Sequence, residues 1–119
     1  MERISGAEHE IMEVLWRTSP LTAAAVAAQA PARWSIRTVK TLLARLVAKG
    51  ALSHEEQGRA YLYRPAIARE DYVAGESRLL LDRLFGGRVS PLVAHLAQRE
   101  NLTDDDVAEI EALLKALKP

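Results

Sequence analysis

The sequence predicts a mainly α-helical fold with one small β-hairpin, in two parts that meet near residue 66. Three observations carry this. Apolar residues recur at helical spacing over residues 36–47, with a face free of carboxylates opposite them. The stretch that follows alternates small or apolar residues with tyrosines up to Pro65, the signature of a half-buried hairpin. Helix-start signals at Ser5, Thr22, Ser35 and Thr103 cut the remainder into short helices.

The elements follow in order. Ser5 and Glu8 form an S-x-x-E capping box, in which hydroxyl and carboxylate each satisfy a free N–H of the first turn. The helix it opens turns Ile11, Met12 and Leu15 inward, with Trp16 at the margin of that face, and should end near Thr18, ahead of Pro20. Thr22 caps an alanine-rich second helix through Ala30, packed through Leu21, Val26 and its alanines and closed by Pro31. Ser35 caps the third, and Gly50 stands where a left-handed residue ends it. Ile36, Val39, Leu42, Leu43, Leu46 and Val47 form the inward stripe of this helix. Residues 52–55 and 59–64 then read as two strands joined by Glu56, Gln57 and Gly58, and Pro65 stops the sheet. Three helices followed by a hairpin describe a winged helix-turn-helix domain over residues 1–66. Trp34 admits two readings, a core aromatic holding the loop or a ring lying against a nucleic-acid backbone.

The third helix points to the ligand. Its outer face carries Arg37, Thr38, Lys40, Thr41, Ala44 and Arg45 with no carboxylate, a surface suited to a phosphate-lined groove. The whole chain has zero formal net charge, yet the charges are segregated. Seven basic residues (Arg33, Arg37, Lys40, Arg45, Lys49, Arg59, Arg64) stand against Glu55 and Glu56 between residues 33 and 64, while residues 66–119 carry an acidic excess. Double-stranded DNA is therefore the expected partner. Ser35 starts the contacting helix. Arg37 suits a bidentate guanine contact, and Thr38 or Thr41 a thymine methyl or a phosphate. Lys40, Arg45, Arg59 and Arg64 suit phosphates, which set position and affinity without reading sequence.

Beyond Pro65 the chain forms a helical region over residues 67–119. A long helix should run over residues 67–85 and stop at Gly86-Gly87; Ser90 as cap and Pro91 at the first helical position start the next; Thr103 with Asp106 boxes the last, whose Asp104 and Asp105 complement its positive end. Leu80, Leu81, Leu84, Phe85, Leu92, Leu96, Val107, Ile110, Leu114 and Leu117 supply more apolar surface than three short helices easily bury among themselves. A second copy is the expected cover, giving a homodimer whose recognition helices sit about 34 Å apart, one turn of a symmetric operator. Packing back onto the winged domain is the other use of that surface.

Other classes find little support. The histidines (His9, His54, His95) are isolated, and there is no glycine-rich phosphate loop or nucleophile motif, so no enzyme, metal or cofactor is expected. The chain has no cysteine, hence no disulfide or thiolate site. No apolar run approaches membrane-spanning length and the first residues lack a signal-peptide pattern. A cytoplasmic protein is expected. The alternative is a winged protein–protein interaction module that binds no operator.

Four segments together, ISGAEHEIMEVLW, WSIRTVKTLLARLVAKGAL, GRAYLYRP and ESRLLLDRLFGG, resemble the BlaI/MecI/CopY penicillinase-repressor family across essentially the whole chain. The resemblance implies a homodimeric winged-helix repressor of palindromic operators that silences β-lactam resistance (β-lactamase) or related stress genes. It also implies release, in the antibiotic-sensing branch, when a membrane sensor metalloprotease cuts the dimerisation region. Those repressors are cut between Asn and Phe; in register through Gly86-Gly87 and Leu102, this chain has His95 and Leu96 there. The copper-sensing branch uses a C-terminal cysteine cluster, and a chain without cysteine cannot sense Cu(I) that way.

Overall fold

In the computed structural model, which describes residues 2–31, 33–99 and 101–118, the chain runs α1 (Gly6–Arg17), α2 (Ala23–Gln29), α3 (Ile36–Ala48), β1 (Leu52–Gln57), β2 (Ala60–Pro65), α4 (Arg69–Leu84), α5 (Val89–Gln98) and α6 (Asp104–Leu117). It divides into two units, Met1–Val73 and Ala74–Pro119. The division falls beyond residue 66 because Ile67 and Tyr72 pack on the core of the first unit.

The first unit is built on caps that are legible in the sequence. The Ser5 hydroxyl accepts from Glu8 N–H at 3.1 Å and the Glu8 carboxylate accepts from Ser5 N–H at 2.8 Å. Thr22 and Ser35 cap α2 and α3 by the same geometry, accepting from Ala25 and Thr38. Helix α3 ends in a Schellman turn, in which Ala51 N–H reaches Leu46 O and Gly50 N–H reaches Val47 O, with Gly50 at φ 81°. A side chain with a Cβ would resist that left-handed φ.

The core of this unit joins Ile11, Met12, Val14 and Leu15 of α1, Val26 of α2, Val39, Leu43 and Leu46 of α3, and Leu52 and Tyr63 of the hairpin. Each large aliphatic side chain so enclosed contributes on the order of 1.5–3 kcal/mol through water exclusion. Trp34 packs against this core as a half-buried ring, in keeping with the first of its two readings. The hairpin is tighter than the sequence suggested. Glu56 pairs with Tyr61 and Gln57 with Ala60, so Glu56 and Gln57 belong to β1 and the turn is Gly58–Arg59, with Gly58 at φ 65°. Two-residue turns of positive φ match the right-handed twist of paired strands. The segment before α2 adds an isolated bridge on the other edge of β2: Leu21 and Tyr63 exchange backbone hydrogen bonds of 3.0 and 2.8 Å.

One long-range ion pair ties α1 to α3. Lys49 Nζ donates to Glu8 Oε1 at 2.6 Å and to Arg3 O at 2.8 Å. Burial pushes the Glu8 carboxyl up, but the hydrogen bond from Lys49, the Ser5 N–H, the Lys49 charge and the Ser5 hydroxyl together hold it below the ordinary carboxylate range. Glu13 is also lowered, first by its hydrogen bond from Arg69, at 2.8 Å. Carboxyls that titrate lower folded than unfolded stabilise fully above the unfolded value, about 4.3 for glutamate, and that contribution is lost as pH falls through the depressed values. Urea midpoints measured against pH are expected to drop on acidification through this window, with Glu8→Gln flattening the drop. An acid limb identical in the variant would contradict the assignment.

The second unit holds the rest of α4 with α5 and α6. Helix α4 stops where expected: Gly87 N–H turns back to Leu81 O at 2.8 Å, with Gly86 and Gly87 at φ 60° and 77°. Helix α5 starts earlier than the Ser90-Pro91 signal implied, with Arg88 as N-cap and Val89 as first residue. Pro91 then sits at the third helical position, where the missing N–H would have had no intrahelical partner. The Thr103–Asp106 box forms in both directions, at 3.0 and 3.1 Å.

Candidate nucleic-acid interface

Helix α3 presents Arg37, Thr38, Lys40, Thr41, Ala44 and Arg45 to solvent along one face, because Val39, Leu42, Leu43 and Leu46 are drawn into the core on the other. The first turn is ordered by its own hydroxyls. Ser35 Oγ donates to Thr38 Oγ1 at 3.2 Å and Thr41 Oγ1 donates to Arg37 O at 3.1 Å. Among the described residues, Arg33, Arg37, Lys40, Arg45 and Arg59 form no ion pair. Long cationic side chains without internal partners keep their charge available to an incoming anion. Arg59 occupies the wing's turn, beside Ala60 at the end of the ladder.

Two of the basic residues behave differently. Lys49 is spent on Glu8, as described, and Arg64 Nη2 donates to Glu55 Oε1 at 2.8 Å, diagonally across the hairpin. Both acceptors lie far enough along the chain, or on a second strand, that helical periodicity does not disclose them. Ile36 also departs from its stripe. It is 48% exposed, since the first turn of α3 projects past the core and lines a cavity against α2 and the wing. Burial pushes the Tyr63 hydroxyl above its ordinary pKa, and Tyr61 adds to it.

In the second unit the apolar residues expected at a partner surface are mostly uncovered. Leu84, Leu114 and Leu117 are 58%, 53% and 80% exposed; Leu80 and Val107 are exposed, and Phe85, Leu92, Leu96 and Ile110 half-buried. Leu81 is the exception, buried within the single chain. Val89, exposed at the start of α5, belongs to the same apolar set and was hidden by the expected later start. His95 is exposed and its neighbour Leu96 half-buried, both within α5.

Known proteins match this chain along most of its length. The family model described as penicillinase repressor matches residues 4–116. The chain belongs to the penicillinase repressor family. That family consists of transcriptional repressors with winged-helix DNA-binding domains, and not of enzymes. The penicillinase repressor of Bacillus licheniformis is 32% identical over 118 residues, covering 98% of this chain and 92% of the relative. The methicillin resistance regulatory protein MecI of Mammaliicoccus sciuri is 25% identical, covering 93% and 92%. Among solved structures, the monomeric form of Bacillus licheniformis BlaI in complex with the blaP half-operator shares 40% identity over 60% of this chain and 89% of that one, with a TM-score of 0.51. Among the described residues of this family member, no helix is long and apolar enough to cross a membrane.

Proposed function

We propose that this penicillinase repressor family member is a cytoplasmic homodimer that binds palindromic operator DNA and silences β-lactam resistance or related stress genes. The observation that carries the reading is the face of α3 that carries hydroxyls and cations with no ion pair among the described residues, flanked by Arg59 on the wing. Support comes from relatives whose names record repression of penicillinase and regulation of methicillin resistance, and from BlaI bound to a half-operator. Pairing of two copies accounts for the leucines left open in the second unit: a two-fold protein holds two α3 helices to the two halves of a palindrome.

In this reading Ser35 and the first turns of α3 enter the major groove. Arg37 reads a guanine edge and Thr38 or Thr41 an adjacent methyl or phosphate, while Lys40, Arg45 and Arg59 meet phosphates, joined by Arg64 once it exchanges Glu55 for a phosphate. Arg37→Ala is then expected to cost on the order of 1–3 kcal/mol and relax preference at one base pair. Lys40→Ala should weaken every duplex alike and lower the slope of log Kd against log salt by about one. Fluorescence anisotropy on operator and scrambled duplexes, each across a salt series, separates the two behaviours. Equal losses on both duplexes for both variants would end this division of roles. Absence of any duplex binding at low salt would return the chain to the class of protein-interaction modules.

Relief of repression follows from proteolysis in the dimerisation region by a membrane sensor metalloprotease, at the bond between His95 and Leu96. That bond lies in the last turns of α5, where Arg99 N–H bonds to His95 O and Asn101 N–H to Leu96 O. A protease reads extended backbone, so those two hydrogen bonds open before the cut.

A further inference from the structure

A cavity of about 520 Å³ opens between the start of α2, the first turns of α3 and the wing. Its wall includes Ala24, Ile36, Lys40, Arg59, Tyr61 and Tyr63. We propose that it binds a small aromatic carboxylate, and that the bound anion and duplex DNA exclude one another. The exclusion rests on the operator-binding reading above; the binding does not.

Two features of the wall define the ligand. Ile36 and Tyr61 are exposed at 48% and 43%, although Ile36 belongs to the apolar stripe of its helix. Their surfaces face a concavity that phosphates cannot dry, so DNA contact alone leaves the apolar part of the wall unused. Beside them stand Lys40 and Arg59, neither held by an ion pair among the described residues. Among the described residues, no carboxylate lines the cavity. A concave apolar surface with two uncompensated cations complements an anion attached to a flat apolar body. The guanidinium fork of Arg59 suits a carboxylate, and the ring of the ligand lies against Tyr61 and Ile36. The volume falls within the range of small-molecule sites, about 300–1,000 Å³.

Competition follows from shared groups. A carboxylate seated between Lys40 and Arg59 takes the cations that would meet backbone phosphates, and its ring occupies the space between α3 and the wing. For mutually exclusive ligands, the apparent Kd for DNA rises by the factor one plus ligand concentration over ligand Kd. A cavity of this kind makes repression responsive to a metabolite as well as to proteolysis.

The test uses benzoate on the full chain without DNA, followed by two-dimensional NMR, with benzamide as the neutral isostere. Saturable shifts centred on Ile36, Tyr61 and Arg59 are expected, with benzamide bound roughly tenfold or more weakly. Lys40→Gln and Arg59→Gln should each reduce benzoate affinity, and Ala24→Leu should block the cavity sterically, all three with parental melting temperatures. Shifts that scatter over the surface without saturating, benzamide binding as well as benzoate, or full benzoate affinity in all three variants would overturn the site. Anisotropy on a random duplex at low salt, with benzoate exchanged for chloride at constant ionic strength, then tests exclusion. A DNA Kd that climbs in proportion to benzoate supports it, and a DNA Kd unmoved by saturating benzoate overturns it. A chain that takes up benzoate but binds no duplex refutes the operator reading and the exclusion while supporting the cavity.

Discussion

Lys49→Met is expected to destabilise the winged unit by about 3 kcal/mol, the low end of the range for stranding one member of a buried ion pair. The reason is geometric. Glu8 is 1% exposed, so loss of the ammonium 2.6 Å away leaves a carboxylate that water cannot reach to solvate. The Ser5 hydrogen bonds remain and moderate the loss; Lys49 keeps 17% side-chain exposure, which places the value low in the range. The double variant Glu8→Gln/Lys49→Met should recover much of the loss, because no charge is then buried alone. Urea unfolding of the single and double variants measures this. A single variant within about 0.5 kcal/mol of the parent, as for an ordinary surface change, would show that the pair is incidental. Losses that simply add in the double variant would show that the two residues do not act as a unit.

Leu114→Gln combined with Leu117→Gln should leave the affinity for a half-operator unchanged while weakening binding to a full palindrome by about 10²- to 10⁴-fold. That interval is the advantage that linkage of two sites confers through effective concentration. Both leucines are more than half exposed in the single chain, so the change removes no core contact within it. Glutamine retains good helix propensity and adds no charge that would alter long-range attraction to DNA. If a second copy covers these positions, each dimer loses four buried leucines, each contributing roughly 1.5–3 kcal/mol. Sedimentation should show dissociation in parallel with the lost palindrome affinity. A variant that remains paired and binds the palindrome like the parent would remove α6 from the interface.

Much of the chain is readable residue by residue. The Ser5–Glu8 box, the Thr22, Ser35 and Thr103 caps and the Gly50 and Gly86 stops are local signals, and each appears where short-range hydrogen bonding requires it. The face of α3 that carries Arg37, Lys40 and Arg45 is equally legible, since burying Val39, Leu43 and Leu46 turns those cations outward whatever the core touches. The hairpin shows the limit of pattern reading. Its presence follows from alternation, but Glu56 and Gln57 look like turn residues and pair as strand, because the positive φ of Gly58 permits a tighter loop. Lys49 and Arg64 count toward the basic excess of residues 33–64 and are engaged within the chain, one by Glu8 and the other by Glu55.

By itself, then, the order of residues determined the helices, the Ser5, Thr22, Ser35 and Thr103 caps, the existence of a wing and the sign of the surface presented by α3. These depend on interactions within three or four positions along the chain, or on a repeated apolar period. Tertiary structure alone decided that Glu8 meets Lys49, that Trp16 donates through its indole N–H to Ile67 O at 3.0 Å, that Leu21 pairs with Tyr63, and that Ile36 lines a cavity. Each joins groups separated by many residues, or depends on which neighbour fills the adjacent space. Such meetings leave no periodic trace, because chain closure over long loops is governed by the packing of the whole core rather than by the residues at its ends.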